Sequence, residues 1–140
     1  MKCLVTGGAG FIGSNLVDKL VSLDYGVIVI DNESAKENEQ FYWNENAENY
    51  KYDICDYDKI KQLFNNVDYV FHLAAQSRIQ PSITDPNHTF KVNCKGTLNV
   101  LNAAKENNIS KIIYSSTSSY YGLENSIPSK EEMKRDCLNP

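Results

Sequence analysis

The apolar residues of this chain come in short, nearly unbroken runs separated by stretches of helical spacing, and that alternation narrows the fold more than any other feature. Lys2–Thr6, Val27–Ile30, Asp68–Ala74 and Lys111–Tyr114 read as buried strands, with Tyr50–Ile54 as a shorter one. A strand with one wet face alternates polar and apolar residues, whereas an unbroken run is covered on both faces. Between the runs, Phe11–Leu23 carries Ile12, Leu16, Val17, Leu20 and Val21 at helical intervals, and Gly26 is placed to end the helix in a left-handed conformation. Tyr57–Phe64 predicts a short helix with Ile60, Leu63 and Phe64 inward. Asp85 before Pro86 is an N-cap followed by proline in the first turn. The helix it opens is expected to reach Asn107, with Phe90, Leu98, Leu101 and Ala104 along its apolar side. Asn32–Asn49 and Gln76–Thr84 read as loops, and Leu123–Pro140 is polar and weakly patterned. Strands alternating with helices predict an α/β fold, a doubly wound parallel sheet in spatial order 3-2-1-4-5 set by right-handed crossovers.

Composition agrees and removes several function classes. A length of 140 residues suits one domain, and 41% hydrophobic with 23% charged residues is ordinary for a soluble globular chain. The net charge of −4, from 14 basic and 18 acidic residues without a Lys/Arg cluster, speaks against nucleic acid and anionic membranes as partners. No stretch approaches the ~18 consecutive apolar residues of a membrane helix. Met1–Thr6 is too short for the apolar region of a secretion signal, so the cytoplasm is the expected compartment. Cys3, Cys55, Cys94 and Cys137 form no C-x-x-C pair, and only His72 and His88 add imidazoles. No metal site is expected, and the thiols are expected to be reduced.

The chemistry concentrates in Thr6-Gly7-Gly8-Ala9-Gly10-Phe11-Ile12-Gly13, between the first strand and the first helix. Glycines at 7, 10 and 13 allow a tight turn, close approach of backbone to a pyrophosphate, and close packing of helix on strand. The helix N-terminus adds free N–H groups and a positive dipole end. Asp31, 18 residues beyond Gly13 and at the end of the second strand, stands where a ribose-binding carboxylate is expected. A carboxylate accepts from a ribose 2′-hydroxyl and repels a 2′-phosphate, and Lys36 is the nearest base, so NAD is favoured over NADP. The alternative is that Asp31 only caps a turn with Asn32.

In these motifs and several others the chain resembles the first half of a nucleotide-sugar epimerase/dehydratase, in the extended branch of the short-chain dehydrogenase/reductase superfamily. The resemblance rests on Thr6–Gly13, Val29-Ile30-Asp31-Asn32, Asp53-Ile54 and Val70-Phe71-His72-Leu73-Ala74-Ala75-Gln76. It continues through Ser82–Pro86, Asn93-Cys94-Lys95-Gly96-Thr97 and Tyr114–Gly122. It implies a Rossmann domain over residues 1–122 followed by a polar segment over 123–140, with NAD as cofactor. The implied cofactor set is Gly7, Gly10, Phe11, Ile12, Gly13, Asp31 and Asn32 at the phosphate and ribose end. Asp53 would hold the adenine amino group, Ile54 would lie against the ring, and Leu73, Ala74, Ala75 and Gln76 would line the middle. Asn93 would orient water or cofactor, or make a purely structural bond, and Ser116 would line the nicotinamide end. Thr117 matches the catalytic Ser/Thr, whose hydroxyl bonds the sugar oxygen being oxidised or reduced. His72 reads as a satisfied core histidine.

The resemblance also implies a Tyr-x-x-x-Lys acid–base pair. The only such spacing here, Tyr57–Lys61, follows the third strand on the adenine side and is rejected as catalytic. The family's pair is expected about twenty residues beyond Gly122, so the sequence is expected to stop just before it, at Asn139-Pro140. The chain is then expected to be inactive alone, with a stand-alone nucleotide-binding module and half of a split enzyme as alternatives. The resemblance further implies a nucleotide sugar as partner of the complete enzyme, and self-association. Which sugar is not legible, because its determinants lie mainly in the other half.

Overall fold

The computed structural model describes residues 1–35, 38–123 and 126–137. Five parallel strands form one sheet: β1 (Lys2–Thr6), β2 (Gly26–Ile30), β3 (Glu48–Tyr50), β4 (Tyr69–His72) and β5 (Lys111–Tyr114), in spatial order β3-β2-β1-β4-β5. β1 is central, and Val5 lies opposite Val29 on one side and Phe71 on the other. Its residues alternate between two cores. Cys3 and Val5 join Val27, Val29, Val17 and Leu20 beneath α1 (Phe11–Ser22). Leu4 joins Ile28, Ile30 and Val70 on the other face, beneath α2 (Tyr57–Ile60) and α5 (Thr97–Glu106). This double covering is why the strands read as unbroken apolar runs. Right-handed crossovers from a central first strand produce the predicted order.

Four expectations need correction. The residue that turns the chain out of α1 is Asp24, with φ of +59°, while Gly26 already opens β2. Asp tolerates this conformation better than most residues, which frees the glycine. The third strand lies at Glu48–Tyr50 rather than Tyr50–Ile54, on an edge whose exposed residues carry no apolar signature. The stretch read as a loop holds α3 (Ile79–Thr84), and Pro81 fits because it stands in the first turn, where backbone N–H groups have no helical partner.

The fourth correction concerns the long helical stretch. Asp85 caps α4 (Pro86–Phe90) as expected, its carboxylate accepting from the His88 N–H at 3.0 Å. A π-helical segment, Lys91–Gly96, leads on into α5. Of the residues read as the apolar side, Ala104 is buried, but Phe90, Leu98 and Leu101 are 66%, 54% and 45% exposed. The inward face is instead Thr89, Gly96, Asn99, Val100, Ala103 and Ala104. Small residues bring the helix close to the sheet, and the large ones are left outside. Among the described residues no helix is long and apolar enough to cross a membrane.

Candidate NAD-binding site

A cavity of about 490 Å³ opens at the carboxyl ends of the strands. It sits at the break between β1 and β4, where the crossovers diverge and open α/β sheets bind ligands. Gly7, Gly10, Phe11, Ile12 and Gly13 form one wall. Gly7 has φ of +72°, and a Cβ there would stand 2.8 Å from the Ala74 nitrogen. A Cβ on Gly13 would overlap the Gly7 carbonyl. Gly10 differs: its Cβ would meet only the Gly7 oxygen, at 3.5 Å, and otherwise open space. Packing demands the first and third glycines, whereas the second faces the cavity bare. Gly8, a mere spacer in the sequence pattern, is also packed, its Cβ position lying 2.6 Å from Val29 Cγ1. The first turn of α1 carries no acidic residue and no side-chain cap, so its N–H groups are available to an anion.

Asp31 lies 9% exposed in the same cavity. Its Oδ2 accepts from the Ala9 N–H at 3.1 Å and its Oδ1 from the Glu33 N–H at 2.7 Å. The turn-capping alternative is therefore real, yet each oxygen keeps a lone pair for a ribose hydroxyl. Asn32 lines the cavity too, and its Oδ1 accepts from the Ser34 N–H. Lys36 lies outside the described residues.

Asp53 and Ile54 line the far end. Burial works to raise the Asp53 carboxyl, but bonds from the Cys55 backbone and thiol and from Asn32, with Lys91 nearby, outweigh it and hold it below its ordinary value. The Cys55 thiol is pushed up to about 11 by burial and by Asp53. Ile54 is pinned from behind: Asn99, on α5, donates to its carbonyl at 2.9 Å, and Gly96 leaves room for its side chain. Asn99 was not singled out from sequence, and Gly96 entered only as a member of the Asn93–Thr97 stretch with no role of its own, since an Asn and a Gly inside a helix carry no functional signature.

Leu73, Ala74 and Ala75 follow β4 into the cavity, and Ser116 follows β5. A second cavity of about 360 Å³ adjoins and shares Ala75, Ser77, Arg78, Ser115 and Ser116 with the first. It holds Gln76, Asn93 and Thr117. The Asn93 amide is committed to the Gln76 backbone, accepting from its N–H at 2.8 Å and donating to its carbonyl at 3.0 Å. Thr117 Oγ1 accepts from the Ser119 N–H at 3.1 Å, which leaves its own O–H free to donate. All the residues singled out from sequence thus meet in two adjoining cavities. Tyr57 and Lys61 line neither. Glu106 raises the Tyr57 hydroxyl above its ordinary value, the opposite of what a base requires, and Lys61 pairs with Asp58.

A glycine cradle at a helix N-terminus, a carboxylate after β2 and serines after β5 define a dinucleotide-binding α/β protein. The comparisons specify it: the NAD dependent epimerase/dehydratase family matches residues 3–140, and the chain belongs to that family. It is 37% identical to a putative UDP-glucose 4-epimerase of Methanocaldococcus jannaschii, over 98% of this chain and 45% of that protein. Its fold superposes on UDP-glucose 4-epimerase of Thermotoga maritima, solved with UDP-glucose, with a TM-score of 0.90 and 39% identity over 99% of this chain and 46% of that one. For UDP-glucose 4-epimerase of Thermus thermophilus, solved with NAD, the score is 0.87 at 30% identity, over 99% and 45% of the two chains. The chain thus spans less than half the length of these relatives. It corresponds to their NAD-binding portion, and the residues present fit that cofactor. A cradle that a Cβ at Gly10 would enter, an uncapped helix end and a reachable Asp31 are its three requirements.

Proposed function

We propose that residues 1–122 form the NAD-binding domain of a nucleotide-sugar epimerase or dehydratase and that they take NAD in preference to NADP. The observation that carries this is Asp31 beside the glycine cradle in one cavity. Gly7, Gly10 and Gly13 with Phe11 and Ile12 hold the pyrophosphate, Asp31 and Asn32 the adenosine ribose, and Asp53 and Ile54 the adenine. Leu73, Ala74, Ala75 and Gln76 pass along the middle, and Ser116 reaches the nicotinamide. Asn93 acts by fixing the Gln76 backbone. NAD, when bound, supplies the hydride acceptor of the family's chemistry. In the second cavity the free O–H of Thr117 bonds the reacting oxygen of a nucleotide-linked sugar. A general base must stand within hydrogen-bond reach of that oxygen. Tyr57 and Lys61 do not, so the 140 residues bind cofactor without turning over a sugar. The exposed side of α4 and α5 pairs with a second copy, and four free thiols suit the cytoplasm.

Titration calorimetry with NAD and NADP tests the reading. NAD binds more tightly, and Asp31→Ala weakens it by roughly 1–3 kcal/mol, the scale of lost charged hydrogen bonds. Asp31→Asn, which keeps one acceptor oxygen, falls between. Equal or tighter binding of NADP by the unaltered chain overturns the assignment.

A further inference from the structure

The polar stretch after β2 resembles nothing diagnostic, yet it closes one end of the large cavity. Asp31 accepts from the N–H groups of Ala9 and Glu33. Glu33 accepts from Trp43 Nε1 at 2.8 Å and pairs with Lys51. Tyr42, next in the chain to Trp43, donates its N–H to the Ala9 carbonyl at 3.1 Å. The bonds run in a ring: Ala9 to Asp31, to Glu33, to Trp43, to Tyr42 and back to Ala9. Phe41, the next residue along, lines the cavity with Asp53 and Ile54.

Two features mark the ring as built rather than incidental. Glu33 holds φ of +55°, a conformation that residues with a β-carbon seldom adopt unless their surroundings impose it. Ala9, at the tip of the phosphate loop, has its N–H and its carbonyl both bonded within the ring. The ring ties the phosphate loop, the ribose carboxylate and the wall carrying Phe41 into one unit before any ligand arrives. Such preorganisation reduces the entropy lost on binding.

We propose that Glu33 and Trp43 are positioning residues for the adenosine diphosphate half of the cofactor: they buckle the 41–43 strap to the phosphate loop and so hold Asp31 and Phe41 in register. Neither lines the cavity. The proposal rests on the reading that this cavity takes NAD.

ADP-ribose is the probe, because it carries the adenosine half without nicotinamide. Trp43 is the only tryptophan of the chain, so its emission reports on the strap directly. In the unaltered chain ADP-ribose is expected to give a saturable change in Trp43 emission. Glu33→Ala and Trp43→Phe should weaken ADP-ribose and NAD about tenfold in calorimetry, the size of one lost hydrogen bond at a charged acceptor. Glu33→Gln still offers Trp43 an acceptor and should recover most of the affinity, since the exposed Lys51 pair contributes little. Lower melting temperatures with unchanged ADP-ribose affinity in both variants would overturn the proposal. If Glu33→Ala does not fold, Trp43→Phe decides alone. If the unaltered chain binds neither ligand, the NAD reading itself falls, whereas binding without variant dependence removes only the strap.

Discussion

His72 shows how far the cavity is held by groups that never face it. It is 2% exposed, with Nδ1 2.6 Å from Thr6 Oγ1 and Nε2 2.9 Å from Thr97 Oγ1. The Ala74 N–H already donates to Thr6 Oγ1, at 3.2 Å. Both ring nitrogens therefore have a hydroxyl partner, one that can donate as well as accept, and a neutral ring is satisfied at both ends. Burial lowers its pKa to about 4. An unfolded histidine titrates near 6.5. Between these values the unfolded chain binds the proton and the folded one does not, so stability is full above pH ~6.5 and falls as pH drops toward 4. The loss should reach roughly 3 kcal/mol. Urea midpoints at pH 7 and pH 4.5 check it: His72→Gln should be less stable at pH 7 and lose less on acidification. An equal loss in both proteins would assign the acid sensitivity elsewhere. The core role of His72 was legible because a histidine inside an apolar run has to be satisfied. The ring through Glu33 was not, because bonds between residues far apart in the chain leave no mark in local sequence.

Among the elements, the stretch from Asp85 to Asn107 was legible at its start and misread across its width. Asp and Pro announce a cap through local chemistry, whereas choosing the inward face requires knowing what the helix meets. Apolar character grouped Phe90, Leu98 and Leu101 with Ala104 on one side, yet the sheet receives Ala104 with Val100 and Ala103 and leaves the large three outside. The π-helical turn at Lys91–Gly96 also shifts the register along the stretch. Gly96 faces Ile54 at a point where a Cβ would stand 2.6 Å from Ile54 Cδ1 and 2.8 Å from Cγ1. Gly→Ala inside a helix ordinarily gains up to about 1 kcal/mol. Here overpacking costs about 1–3 kcal/mol, because Cγ1 as well as the tip of the buried Ile54 side chain stands too close and the whole side chain must shift. Gly96→Ala should therefore lower the melting temperature. It should also weaken NAD, since Ile54 would be pushed at the adenine end of the cavity. A stabilised variant with unchanged affinity would show that Ile54 moves aside without cost.

For the molecule as a whole, strand order followed from the alternation of apolar runs and helices, because right-handed crossovers leave few topologies open. Edges were harder to read, since β3 has no buried face to impose a pattern. The outward side of the long helical stretch carries large apolar residues that the sequence grouped with Ala104 on a single apolar side. Leu98 and Leu101 stand one turn apart on α5, and Phe90 at the end of α4 and Cys94 in the π-helical turn are exposed as well. Large apolar side chains left in water along one helical stretch mark an interaction surface or an aggregation liability. These side chains lie apart from both cavities, so covering them need not disturb the cofactor. Sedimentation should accordingly find the 140-residue chain as dimers or larger species. Replacing Leu98 and Leu101 together by lysine should shift it to monomer while leaving NAD affinity within about twofold, as expected for exposed substitutions remote from the site. Monomeric behaviour of the unaltered chain at high concentration would refute the association, and loss of NAD binding in the double variant would show that the helix face and the cofactor site are coupled.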